Sequence, residues 1–264
     1  AARAEARRAG LVESVGRAQS RLETARKLHD AAKEAFEAVN GEDDGQDALV
    51  AARARAERAR GKAADARAAL DWLSAPESGV SAHYLLAEDG ALWQLVDEER
   101  RAWHAGAGRW GAVTDVNSRS VGIELANDGA SPFPEPQMLG LEALLDGLSR
   151  RWRIRPERVI GHSDMAPGRK IDPGPRFDWR RLALGGRSIW PGDVSSAPVT
   201  GGRDTLLPLL RRIGYTADVA PETLLGAFRL RFRPWATGPV PSADIAVAGD
   251  LARRFPVDPP TPVA

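Results

Sequence analysis

Gly161-His162-Ser163-Asp164-Met165-Ala166-Pro167-Gly168-Arg169-Lys170-Ile171-Asp172-Pro173-Gly174-Pro175 places a His, a Lys and an Asp on one loop stiffened by proline and glycine. The apolar pair Val159-Ile160 before it reads as the end of a short buried strand. His162 then stands where a strand delivers a side chain to a pocket, and Asp172 returns after a rigid excursion. Imidazole and carboxylate donors suit Zn²⁺, and Lys170 beside them can stabilise a developing oxyanion. The same residues equally describe a surface turn with a capping Asp and one half-buried His. Residue types alone leave both readings open.

Ahead of the loop, residues 136–152 carry Met138, Leu139, Leu141, Leu144, Leu145, Leu148 and Trp152 at helical spacing, which predicts an amphipathic helix. Further upstream, short β-type runs stand at Tyr84-Leu85-Leu86, at Ala91 to Val96 and at Val121-Gly122-Ile123-Glu124-Leu125. Glu88-Asp89-Gly90 reads as the turn of a hairpin. Strands flanked by helices predict an α/β core, residues 76–190, built on a mixed sheet.

Residues 1–75 are rich in Ala, Arg and Glu and are broken once, at Asn40 to Gly45. A heptad-like seam runs through Leu11, Val15, Leu22, His29 and Phe36, and a second through Leu49, Ala56, Ala63 and Leu70, which predicts a helical hairpin. On that seam His29 reads as a tolerated polar residue. Residues 191–202 read as a Pro/Gly-containing linker. Beyond it, residues 203–264 hold Leu206, Leu210, Ile213, Leu224, Phe228, Phe232, Ile245 and Leu251, an apolar set that fits three helices.

Charge and composition exclude several classes. Lys and Arg (37) nearly cancel Asp and Glu (36), so no global field draws the chain to nucleic acid or to an anionic membrane. With no cysteine, disulfides and thiolate metal sites are excluded, and any zinc falls to His and carboxylate. No apolar run reaches the roughly 18 residues of a membrane span. The Arg-rich beginning shows no apolar signal-peptide core.

The segment from Gly161 to Trp179 closely resembles the C-terminal zinc-site motif of the zinc-dependent N-acetylmuramoyl-L-alanine amidases, the amidase-2 family related to peptidoglycan recognition proteins. Four further segments resemble that family's signatures in the same order. They are Val80-Ser81-Ala82-His83-Tyr84, Trp93-Gln94-Leu95-Val96, Ala102-Trp103-His104-Ala105-Gly106 and Asn117 to Leu125. Residues 203–264, through Gly214-Tyr215, Ala227-Phe228 and Phe232, resemble the small peptidoglycan-binding-like domain that often follows such amidases.

The resemblance implies hydrolysis of the amide joining N-acetylmuramic acid to the L-alanine of a stem peptide, in peptidoglycan or released muropeptides. It implies His162 and Asp172 as zinc ligands, Glu124 as the group that orients and deprotonates water, and Lys170 as the partner of the oxyanion. Trp103 and His104 would line the substrate cleft, Asn117 would shape it, and His83 would be a buried structural residue. Glu124 stands out independently, since it interrupts an apolar strand, although a solvent-facing edge Glu would look the same.

One family feature has no counterpart. The family's first zinc ligand is a His a little over twenty residues before Ser81-Ala82-His83-Tyr84, and here that interval holds Ala56-Glu57-Arg58-Ala59-Arg60-Gly61. The helical hairpin stands in place of an opening strand. Three readings follow: a zinc amidase with its third ligand supplied otherwise, a peptidoglycan-binding protein without turnover, or a coiled-coil docking module on an inactive scaffold; the N-terminal helices also offer a seam for self-association. The source implied is bacterial, in the cytoplasm or the cell envelope.

Overall fold

A computed structural model describes residues 65–194, 202–240 and 242–258. The expected hairpin lies outside these residues, His29 included, except for helical residues 65–74 (α1). A 3₁₀ turn, Pro76–Ser78, then ends at Gly79 with φ 65, a left-handed conformation that glycine adopts without strain.

The expected hairpin between the first two strands is present. β1 (Tyr84–Leu86) pairs antiparallel with β2 (Leu92–Gln94), Tyr84 opposite Gln94. Gly90, at φ 86, makes the turn, and the Asp89 carboxylate accepts the Ala91 amide at 2.9 Å. β3 (Ile123–Leu125) runs parallel to β1, with Glu124 opposite Leu85, so the sheet is mixed and ordered β2-β1-β3.

α2 (Glu135–Trp152) covers one face of this sheet. Pro136 and Glu135 favour its first turn and Arg150 and Arg151 its last, where they complement the helix dipole. Met138, Leu141, Leu145 and Leu148 recur every three or four residues and are buried, each worth about 1.5–3 kcal/mol. Buried Gln137 donates from Nε2 to the carbonyls of Leu86 (3.0 Å) and Ala126 (3.1 Å), which fastens the helix start to the ends of β1 and β3.

The strand expected to end at Val159-Ile160 is not formed. A 3₁₀ turn, Pro156–Arg158, precedes an extended Val159, whose carbonyl accepts from Arg231 Nη2 at 3.0 Å rather than from a neighbouring strand. Without a ladder partner the apolar pair is merely extended. α3 (His162–Met165) and α4 (Trp179–Leu184) follow.

Three helices complete the described chain: α5 (Arg203–Ile213), α6 (Pro221–Phe232) and α7 (Ser242–Arg254). Leu206, Leu210, Phe228, Phe232, Ala248 and Leu251 close on one another. Trp110, Met165 and Ile189 belong to the same apolar cluster, so these helices share a core with the residues around α3. Asp244, fully buried, accepts from Arg229 Nε at 2.9 Å and also pairs with Arg233, which ties α7 to α6.

Candidate active site

His162 opens α3 and so projects from the first turn of a four-residue helix. Gly161 precedes it because a β-carbon there would fall 2.6 Å from Pro173 Cδ. The excursion closes on itself: the Ser163 amide donates to the Asp172 carbonyl at 3.0 Å, and that of Lys170 to Ala166 at 3.0 Å. Arg169 anchors the excursion through the Ala105 carbonyl, 2.7 Å from its Nη2. By this folding the Asp172 carboxylate meets Nδ1 of His162.

Glu124 reaches the same place from the sheet. Ile123 and Leu125 turn toward the apolar layer beneath α2, and strand alternation puts Glu124 on the opposite face. A cavity of about 1370 Å³ has Glu124, His162, Asp172, Lys170 and His104 among its lining residues. His104 lies over Gly122, two residues before Glu124 and hence on the same face.

The electrostatics are coupled. Burial raises the Glu124 pKa and the Asp172 charge adds to it, while His162 and Lys170 oppose. Burial disfavours the His162 imidazolium, yet the bonded Asp172 carboxylate outweighs it and holds its pKa above the ordinary imidazole value. Burial likewise opposes the Asp172 carboxylate, and the bond to His162 holds its pKa below the usual value. Burial, reinforced by the charges of His83 and His162, pushes His104 down to about 4.

The remaining expected residues fall in different places. Asn117 is buried, and its Oδ1 accepts the amides of His104 (3.1 Å) and Ala105 (2.9 Å), so it acts on the cleft through the backbone that carries His104. His83 is fully buried; its Nδ1 accepts the Gly122 amide at 2.9 Å and its Nε2 lies 3.0 Å from the Arg100 carbonyl. Trp103 does not join the others. The residue is 55% exposed, its ring lies under the Arg101 guanidinium at 4.1 Å, and it lines a separate depression with Leu73, Pro76 and Val80. Trp103 and His104, neighbours in the chain, thus line two different depressions. Residue chemistry does not single out Gly122, Asp164 or Arg169; an isolated glycine in a strand pattern is the one signal the sequence offers for Gly122.

His162 and Asp172 converge as a borderline nitrogen and a hard oxygen donor, a pair whose chemistry suits zinc. Among the described residues no group of three His, Asp or Glu side chains gathers as a metal site, so the donor types fit the ion while the donor count stops at two.

A family model described as N-acetylmuramoyl-L-alanine amidase matches residues 43–175. The N-acetylmuramoyl-L-alanine amidase AmiD of Escherichia coli is 35% identical over 210 residues, covering 67% of this chain and 75% of AmiD. The 1,6-anhydro-N-acetylmuramyl-L-alanine amidase AmpD of Haemophilus influenzae is 39% identical over 103 residues, 39% of this chain and 56% of that one. Among solved structures, E. coli AmiD in complex with the substrate anhydro-N-acetylmuramic acid-L-Ala-D-γ-Glu-L-Lys superposes with a TM-score of 0.66 at 34% identity, covering 73% of this chain and 86% of that one. AmpDh3 of Pseudomonas aeruginosa gives 0.64 at 29% identity, with 72% and 87% covered.

Proposed function

Since the chain belongs to the N-acetylmuramoyl-L-alanine amidase family, we propose that its cleft hydrolyses the amide between N-acetylmuramic acid and L-alanine in muropeptides. The observation that carries this reading is the convergence of Glu124 from the sheet with His162, Lys170 and Asp172 from one loop. The family is generally zinc-dependent. His162 and Asp172 would hold the ion, whose Lewis acidity, when it is bound, makes an unreactive amide more electrophilic.

The chain's own groups supply proton transfer and charge. Glu124 takes a proton from the attacking water as its oxygen bonds to the carbonyl carbon. It returns that proton to the alanine nitrogen as the C–N bond breaks, giving a lactyl carboxylic acid and an amine, and transfer of the acid's proton leaves a carboxylate and an ammonium group. A carboxyl whose pKa is raised by burial suits both roles. The Lys170 ammonium opposes the negative charge that develops on the carbonyl oxygen. His104, neutral at physiological pH, is available to hydrogen-bond sugar or peptide oxygens, and Asn117 keeps its backbone in place.

Anhydro-N-acetylmuramic acid-L-Ala-D-γ-Glu-L-Lys incubated with the full chain and Zn²⁺ should release the intact tripeptide, read by mass. Cleavage within the sugar or between the amino acids would overturn the assignment. The donor count of two favours a second reading, peptidoglycan binding without turnover, for which the same incubation leaves the substrate whole while the chain is retained on insoluble peptidoglycan. Residues 203–264 we assign as a peptidoglycan-binding-like unit following the 76–190 core. The described residues contain no helix long and apolar enough to cross a membrane. We place the protein in bacteria, in the cytoplasm or the cell envelope.

A further inference from the structure

We propose that Arg231, on α6, is a positioning residue for this reaction, holding both ends of the turn that carries His162. Its Nη2 donates to the Val159 carbonyl at 3.0 Å, three residues before His162. Its Nη1 donates to Oδ2 of Asp164 at 2.6 Å, two residues after. That same Oδ2 accepts the Gly161 amide at 2.9 Å, so one carboxylate oxygen joins the start of the His162 helix to a guanidinium from a helix nearly seventy residues further along the chain.

Other contacts remove the remaining freedom. Asp164 Oδ1 accepts the Tyr215 hydroxyl at 2.5 Å, and Arg231 Nη2 also donates to Ser188 Oγ at 2.9 Å. The guanidinium lies 4.0 Å from the centre of the Trp179 ring, whose edge would be 3.3 Å from a β-carbon on Gly161. Arg231 and Asp164 are almost wholly excluded from water, so neither can exchange its partner for solvent. A planar fork holding two acceptors while stacked on an aromatic face is a geometry that lysine cannot reproduce.

A buried ion pair that only joined two helices would act on stability and nothing else. This one brackets a turn of six residues, from Val159 to Asp164, with His162 inside it. Groups that orient a ligand from behind typically alter metal affinity by about 10–100-fold, and a displacement of about 1 Å at a reacting group can cost about 100-fold in rate.

The inference rests on the hydrolytic reading above, and Arg231→Lys in the full chain tests it. The variant should keep its circular dichroism spectrum at the assay temperature. Its Zn²⁺ affinity, measured by competition with a chromophoric chelator, should fall about tenfold or more. On the same muropeptide kcat should fall by a similar factor with KM within about twofold, since the displaced group belongs to the reacting centre rather than to the binding surface. In metal-free protein the Gly161 amide should exchange hydrogen faster. If Arg231→Lys does not fold, Tyr215→Phe, which removes one bond to Asp164 and leaves the ion pair, should show the same changes at smaller size. A folded variant with parental zinc affinity, kcat and exchange, changed only in melting temperature, would overturn the inference while leaving the hydrolytic reading intact. A parent that neither binds Zn²⁺ nor turns over the muropeptide would remove both.

Discussion

The ring of His104 lies so close over Gly122 that a β-carbon on the glycine would fall 2.3 Å from the ring's Cγ. The only residue able to occupy that position, just before β3, without moving the imidazole is the one with no side chain. Gly122 is also held from behind, its amide donating to His83.

Gly122→Ala should therefore displace His104 or bend β3 at Glu124. Overpacking of this kind costs about 1–3 kcal/mol, and turnover should fall by about tenfold or more because Glu124 lies two residues away. Thermal melts and muropeptide turnover check it. Parental activity in Gly122→Ala would show that the ring yields without consequence.

Glu124→Gln should lower the rate by about two to four orders of magnitude while leaving substrate retention unchanged, because it removes the proton carrier and almost no volume. The same change should leave stability at neutral pH equal or slightly higher. Burial raises the Glu124 pKa, so its ionised form is a cost that folding carries above the ordinary carboxylate pKa. A variant within tenfold of the parent would take Glu124 out of the mechanism.

Acid should act through His104. Its folded pKa is about 4 against an ordinary 6.5, so protons bind the unfolded chain more readily between those values. The His104 contribution to stability should fall as pH drops below about 6.5 and level off near 4, by on the order of 3 kcal/mol. Urea titrations across that window check it, and His104→Gln should flatten the slope attributable to this residue. An equally steep curve in the variant would assign the effect elsewhere.

Zinc should bind weakly. Only His162 and Asp172 meet as donors among the described residues, and each missing protein ligand leaves coordination to exchangeable water. Purified chain should gain occupancy on titration with Zn²⁺, and His162→Ala should abolish it. Full occupancy in untreated protein would reveal a third protein donor.

Much of the site is legible in the residues themselves. Glu124 stands out as a charge inside an apolar run, and the Pro/Gly texture of 161–175 announces a rigid loop that returns Asp172 to His162. The hairpin at Gly90 and the long helix are locally encoded by a turn residue and by 3.6-residue spacing. The failures come where local pattern meets tertiary competition. Val159-Ile160 has strand composition, but its backbone is taken by Arg231. Trp103 lines a different depression from His104, and adjacency in a motif does not say which depression a side chain enters. The pairing of Arg231 with Asp164 joins residues 67 positions apart and leaves no periodic trace at either end.

The apolar cluster that unites Met165 and Trp110 with Phe228 and Leu251 has an evolutionary corollary. A helical unit joined only by a flexible tether can be exchanged for another by recombination at the tether, with the enzyme none the worse. Here such an exchange would strip hydrocarbon cover from Met165 and strand the Asp164 carboxylate without its cation. Any successful replacement must bring its own apolar ridge and its own guanidinium, or be preceded by substitutions that make Asp164 dispensable. The C-terminal helices are thus expected to diverge together with the loop at 159–165, as one inherited block.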